Sequence, residues 1–374
     1  MRAMYDAIVA GARCAGSPTA MLLARKGYRV LLVDKMSFPS DILSTHYIHP
    51  QGVARLQRWG LLDRLAATGC PPITQLTVHM GGVAFTPPPP PAGGPPLPPA
   101  YCPRRTVLDK LLVDAAVEAG AELRERFAVK ELVWEGERVT GVRAATAAEQ
   151  ARIVIGADGM RSAVAKAVRA PEYHARPSLS FGYYNYWSNV AMKGAEIHFM
   201  QDGGALSFPT HDGRYCIAVG GPVDLFHEFR KDIPANYWKI IEKVPPLHEA
   251  MRDARPEERY IGTADQPNFF RRPFGPGWAL VGDAGYHRDF ITGLGITDAF
   301  RDAELLVEAI DDGLSGRRPL DDALAGYERR RNEIAEPLYA LTLQLLSGEP
   351  PTIEQFIAFG GAMQKMMPAA AASA

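Results

Sequence analysis

Tyr5-Asp6-Ala7-Ile8-Val9-Ala10-Gly11-Ala12-Arg13-Cys14-Ala15-Gly16 is the stretch on which the fold turns. A short apolar run ends on a glycine, an Ala/Met/Leu-rich segment of helical character follows, and a second apolar run, Tyr28 to Val33, closes on Asp34 and Lys35. Strand, helix and strand in that order make a β-α-β unit. In a dinucleotide-binding unit the first glycine makes the tight turn, the second lets the backbone approach a pyrophosphate, and the third lets helix pack on strand. An acidic residue ending the next strand accepts hydrogen bonds from ribose hydroxyls. Gly11, Gly16 and Asp34 fill the first, third and acidic places, and Arg13 stands where the second glycine belongs. The helix start would still offer amide hydrogens and a positive dipole end to phosphates. An outward-turned Arg13 would add a charge-assisted contact that offsets the lost close approach.

Working outward, Leu108, Leu111, Leu112, Ala115 and Ala116 recur at helical spacing within Thr106 to Ala119. Strands are expected at Phe127 to Val133, Arg138 to Val142 and Arg152 to Ile155, the last running into Gly156-Ala157-Asp158-Gly159-Met160-Arg161-Ser162. A third strand and glycine turn is Trp278-Ala279-Leu280-Val281-Gly282-Asp283-Ala284-Gly285, followed by Gly293-Leu294-Gly295 and a helix, with a further charged helix near Tyr327 to Glu336. A carboxylate at a strand end can bind ribityl hydroxyls, and a glycine-rich helix start can set amides against a pyrophosphate or a flavin ring edge. Three separated segments are thus suited to hold one part each of flavin adenine dinucleotide (FAD).

Residues 172–262 are rich in Tyr, Phe, Trp and turn residues and read as antiparallel sheet. The expected class is α/β: a Rossmann-like FAD-binding domain assembled from discontinuous segments (1–75, 100–171 and 263–345) with a mainly antiparallel β-sheet substrate domain (76–99 and 172–262). Residues 346–374 are expected as a helical tail, with the alanine-rich end frayed, and the proline run within 86–99, including Pro87 to Pro91, as an extended surface flap.

With 374 residues, 47% of them hydrophobic, the chain can bury a large core. Its net charge of -1 offers no basic field for nucleic acid. No apolar stretch reaches the roughly 20 residues of a membrane-spanning helix, and the chain opens on a strand, so a cytoplasmic protein is expected. Cys14, Cys70, Cys102 and Cys216 are far apart, with no CxxC or Cys/His cluster at ligand spacing, so free buried thiols are expected, and no disulfide framework or metal site. Gly-x-Ser-x-Gly, the hydrolase elbow, is absent.

The order and spacing of these elements resemble the flavoprotein monooxygenases of the p-hydroxybenzoate hydroxylase fold (class A), a superfamily that also holds geranylgeranyl reductases and flavin-dependent halogenases. The likeness covers nearly the whole chain through the amino-terminal glycine loop, Arg105 to Leu108, Asp158-Gly159 and Gly282-Asp283. It implies FAD as cofactor and NADPH or NADH as reductant. Gly11, Arg13, Cys14, Ala15 and Gly16 would line the pyrophosphate, Asp34 with Lys35 the adenosine ribose, and the backbone about Val129 the adenine. Arg105 would meet the flavin or phosphates, Gly282 and Asp283 the ribityl chain, and the amides of Gly293, Leu294 and Gly295 the pyrimidine side of the flavin. Asp158 and Gly159 would serve both FAD and the reductant.

The chain departs from the family pattern at Gly285-Tyr286, where Ala-His is common, at Phe290, where a proline usually lies, and at Thr297, where asparagine is frequent. The proline position is close to where flavin meets molecular oxygen, so Phe290 bears on the oxygen chemistry. The resemblance implies that oxygen is activated at flavin C4a and delivered to an aromatic or polyketide-like small molecule in a dry pocket. Tyr184, Tyr186, Phe199 and Phe208 are candidates to line that pocket, with strand alternation sending only every second aromatic inward. His46 and His287 are candidate proton relays. The Trp-x-Trp-x-Ile-Pro motif typical of halogenases is absent, and Phe208-Pro209 resembles the substrate-sheet motif of the alkene-reducing branch. No sequence pattern specifies an oligomeric state.

Overall fold

In the computed structural model residues 4–86, 97–348 and 352–367 are described. Most of the proline run, 87–96, and the alanine-rich end from Pro368 lie outside them. The opening motif forms a strand at Tyr5–Ala10, a helix at Gly16–Arg25 and a strand at Val30–Val33. The strand is buried on both faces, as a central parallel strand must be: Ala7 and Val9 join a core beneath the Gly16–Arg25, Arg105–Glu118 and Gly295–Leu314 helices, and Ile8 and Ala10 join a second core on the far face. Tyr5–Ala10 pairs in parallel with Val30–Val33 on one side and with Ala148–Gly156 on the other, which pairs in turn with Trp278–Leu280. The nucleotide-type sheet therefore draws its strands from the beginning, middle and end of the chain, as the segment reading expects.

A separate eight-stranded sheet carries the aromatic middle portion. Ser180–Ser188, Tyr215–Pro222, Gly203–Pro209 and Ala195–Met200 are antiparallel neighbours, and Leu76–Met80 adds to Ala195–Met200 in parallel. Alternation sorts its aromatics between faces. Phe181 and Trp187 pack with Tyr237, Ile241 and Leu247 under helices at Ile233–Ile241 and Pro245–Ala250, whereas Tyr184, Tyr186 and Phe208 pack with Tyr47 on the opposite face.

Two local expectations change. Phe127 to Lys130 is not strand, which begins at Glu131; Phe127 instead donates its amide to the Asp34 carbonyl at 2.8 Å, turning this segment alongside the end of Val30–Val33. The segment from Phe226 to Ala250 is largely helical within a region read as sheet. Its prolines open helices at their first turns, where no amide donor is lost. Beyond Leu346, Ile353–Lys365 is a helix started by a Thr352/Gln355 capping box.

Candidate functional site

The glycine loop is built by close approach. Gly11 has φ of +106°, a left-handed value that glycine adopts without penalty, and a Cβ on Gly16 would stand 1.7 Å from the Gly11 carbonyl oxygen. No side chain fits at position 16 without moving backbone. Asp34 is buried at the end of its strand and accepts hydrogen bonds from the amides of Ala12 and Met36, both at 2.8 Å, so it fixes the loop as well as facing the position the resemblance gives to a ribose. Lys35 beside it is exposed, and Val129 is half-buried.

Arg13 does not swing outward. Its guanidinium binds Asp109 and the Ser40 hydroxyl, the latter at 2.9 Å. Asp109 is fully buried and also receives Arg105 at 2.9–3.1 Å and the Cys14 thiol at 3.5 Å. Burial pushes the Cys14 thiol up to about 12, so it stays a neutral donor. Burial also works against the Arg105 charge, but the Asp109 and Asp283 carboxyls hold its pKa above the usual arginine value.

Asp283 occupies a 3-10 turn at Gly282–Ala284. Its side chain is open to solvent, unlike its buried neighbours Gly282 and Ala284. Enough protein surrounds it that desolvation raises its carboxyl pKa above the ordinary range, with His287, Arg105 and Arg288 opposing and Asp298 reinforcing. The Phe290–Thr292 turn ends on Gly293 in the left-handed region (φ +62°), and Gly295 opens the 20-residue Gly295–Leu314 helix facing open space. Leu294 sends its side chain away into a core with Ile334 and Leu338, leaving only its backbone at the loop. The glycine loop, Asp34, Asp283 and the 293–295 amides could hold parts of FAD, whereas Arg105 is bound to Asp109. Asp158 fits less directly: it caps the Ala163–Ala167 helix by accepting from Ser162, Ala163 and Val164, while Gly159 takes a positive φ beside it.

The candidate catalytic groups separate. His46 is fully buried with φ of +62°, and its Nε2 lies 2.8 Å from the Tyr186 hydroxyl. Burial raises the Tyr186 pKa, so the phenol keeps its proton in this contact. Arg104 lies 4.0 Å over the Tyr186 ring, and the imidazole is close enough to Cys216 to help draw that thiol below its usual range, after a larger contribution from the Cys102 thiol. His287, by contrast, donates Nδ1–H to the Pro267 carbonyl between paired strands. Phe290 rests against Gly182 of the aromatic sheet. Phe208 stacks on Tyr47 with centroids 4.6 Å apart at 23°. These two rings join Thr45, Ile197, Leu206, Ile291 and Gly293 in a narrow apolar crevice between the sheet and the glycine turn. Phe199 is not in it, and lines a different cavity with His79 and His198.

Sequence reasoning passed over Tyr47, His49 and Arg104. His49 donates Nε2–H to the Thr292 carbonyl at 3.0 Å and its own amide donates to Thr297 Oγ1, so it pins the Phe290–Gly293 loop to the 46–49 segment. Desolvation lowers the His49 pKa to about 4. No local spacing announces these residues, because they matter only through partners far along the chain.

A family model described as an FAD binding domain matches residues 4–342, and the chain belongs to that family. Its members and relatives are FAD-dependent enzymes, and this chain is of the FAD-dependent oxidoreductase superfamily. Digeranylgeranylglycerophospholipid reductase 2 of Methanopyrus kandleri is 26% identical over 370 residues, covering 91% of this chain and 84% of its own length. Among solved structures, the myxobacterial chondrochloren halogenase CndH superposes with TM-score 0.85 at 22% identity, covering 98% of this chain and 91% of that one. PqsL of Pseudomonas aeruginosa, a probable FAD-dependent monooxygenase, superposes with TM-score 0.78 at 20% identity, covering 97% and 100%. Reductase, halogenase and monooxygenase are the branches the resemblance names. No helix among the described residues is long and apolar enough to cross a membrane.

Proposed function

We propose that the protein binds FAD, is reduced by NADPH or NADH, and uses molecular oxygen to hydroxylate an aromatic or polyketide-like small molecule. The observation that supports this reading best is the crevice between the 290–293 turn and the aromatic sheet, walled by Tyr47 and Phe208 and backed by the buried His46–Tyr186 pair. Bound along the glycine loop, FAD would supply hydride acceptance and oxygen activation. The glycine loop and helix start would hold its pyrophosphate, Asp34 its ribose, and Asp283 its ribityl hydroxyls. Tyr184 and Tyr186 close the apolar wall and exclude water. His46 accepts a proton at Nε2 as Tyr186 rotates its donor away, so the pair can take a proton from a substrate hydroxyl without admitting solvent.

A second reading, alkene reduction, is favoured by the 26% identical reductase relative. Stopped-flow spectra of the flavin-loaded protein, first anaerobic with NADPH or NADH and then mixed with oxygen, separate the two. A transient absorbance distinct from oxidised and reduced flavin, with label from isotopic oxygen in a phenolic product, supports hydroxylation. Alkene reduction without oxygen consumption would replace that reading, and a protein that cannot be loaded with FAD would overturn both.

A further inference from the structure

On the far face of the aromatic sheet, three ligand-type side chains converge with no part in the candidate flavin site. The parallel pairing of Leu76–Met80 with Ala195–Met200 sets His79 directly opposite His198 and Thr77 opposite Glu196. Ala195 and Ile197 face the Tyr47–Phe208 side, so the alternation sends Glu196 and His198 to the other. The two imidazoles stack with centroids 4.1 Å apart at 12°. His79 Nε2, His198 Nε2 and a Glu196 carboxylate oxygen all lie within 4.8 Å of one another. Both nitrogens address the same oxygen, His198 at 2.8 Å and His79 at 3.7 Å.

We propose that His79, Glu196 and His198 bind one divalent transition-metal ion of the zinc type. Zinc takes imidazole nitrogen and carboxylate oxygen at about 2.0–2.2 Å, which in a tetrahedron separates ligands by about 3.3–3.6 Å. The observed 3.7 Å and 2.8 Å lie within several tenths of an ångström of that spacing. One carboxylate oxygen cannot satisfy both rings here: His198 has the hydrogen bond, and His79 Nε2 is buried with no partner. An ion at the centre would engage all three groups at once. Glu196 makes the cluster a poor anion site. Lys243, the cation nearest the adjoining cavity, is already bound to Asp202. That cavity, about 170 Å³ and walled by Phe199, Met200 and Pro245, leaves room for a water as fourth ligand. Two imidazoles and one carboxylate suit zinc better than calcium or magnesium, which take oxygen ligands. The ion would clamp the strand leading towards the proline run onto the sheet. The sequence could not show this, because the first ligand and the second are 117 positions apart.

The test is equilibrium dialysis of the full-length purified protein against zinc chloride, with metal measured by mass spectrometry, and thermal unfolding with and without zinc. One chelator-removable equivalent and a higher Tm are expected. His79→Ala, His198→Ala and Glu196→Gln should each weaken binding by at least about tenfold, the loss that even an outer-shell change can produce, with flavin content unchanged. If His198→Ala does not fold, His79→Ala decides alone, since its Nε2 has no hydrogen bond to lose. Wild-type protein holding no zinc above the buffer blank, or His79→Ala binding as tightly as wild type, would overturn the proposal.

Discussion

Replacing Gly182 by alanine should drive a methyl group into the Phe290 ring. A Cβ built at Gly182 stands 2.3 Å from Phe290 Cζ, 2.9 Å from Cε2 and 3.2 Å from Cε1, whereas packed carbons sit about 3.5–4.0 Å apart. The ring must retreat by about 1.2 Å or more. It belongs to the same turn that brings Ile291 and Gly293 to the crevice, so its retreat disturbs the site. Overpacking of this kind costs about 1–3 kcal/mol. Phe290→Ala alone removes a half-buried ring, at about 1–2 kcal/mol, below the cost of a fully buried one. In the double variant the new methyl enters the space the ring has left, and most of the Gly182→Ala cost should vanish, a coupling of about 1–2 kcal/mol. Urea unfolding of the four proteins measures that coupling, with the slope checked for a common denatured state. Single costs that add to within about 0.5 kcal/mol would show that Phe290 does not rest on Gly182, and the contact between turn and sheet would have to be redrawn.

The remaining predictions concern charge and protons. The protein surrounding Asp283 desolvates its carboxyl and raises its pKa although the side chain reaches solvent, so the ligand-free fold loses stability as pH climbs from the ordinary carboxylate value through the raised one. Asp283→Asn should therefore raise the urea midpoint at pH 7 while lowering flavin content per chain; a lower midpoint with full flavin would refute the assignment. His49 has the opposite sense for a base: its folded pKa is depressed to about 4, so stability is full above pH 6.5 and falls as pH drops towards 4, where the unfolded chain gains a proton the fold refuses. His49→Gln keeps a donor for the Thr292 carbonyl and should flatten the midpoint between pH 7 and pH 5, which urea titrations at the two values check. Tyr186→Phe leaves a buried imidazole nitrogen unpaired, costing about 1–3 kcal/mol, and should reshape the pH profile of turnover; an unaltered profile would remove the pair from proton transfer.

What the sequence disclosed was whatever a short stretch of chain decides by itself. The apolar run ending at Gly11, the strand end at Asp34 and the Gly282-Asp283 turn are local, since periodicity and glycine sterics act within about a dozen residues. The division of the aromatic strands between two faces was also legible, because alternation is a property of the strand alone. Helices at Ile233–Ile241 and Pro245–Ala250 were not, because their prolines read as turn signals although they occupy first-turn positions. The His46–Tyr186 and His49–Thr292 pairs depend on the packing of one sheet against a distant loop, which no spacing along the chain encodes.

Arg13 shows how a departure from a local pattern can be settled by distant residues. A glycine would let the backbone approach a phosphate, but here the side chain at that position is one of two guanidiniums bound to a carboxylate with no solvent exposure, Asp109. Removing one partner of a buried ionic group leaves the other undercompensated at a cost of several kcal/mol. Arg13→Gly would therefore restore the three-glycine pattern and unbalance Asp109 in the same step. The loop is held from behind, through Asp109 and the helix that carries it, and from the side by Asp34, which accepts the Ala12 amide. Arg13 therefore stands in the second-glycine place as a structural tie, its charge directed inward to Asp109.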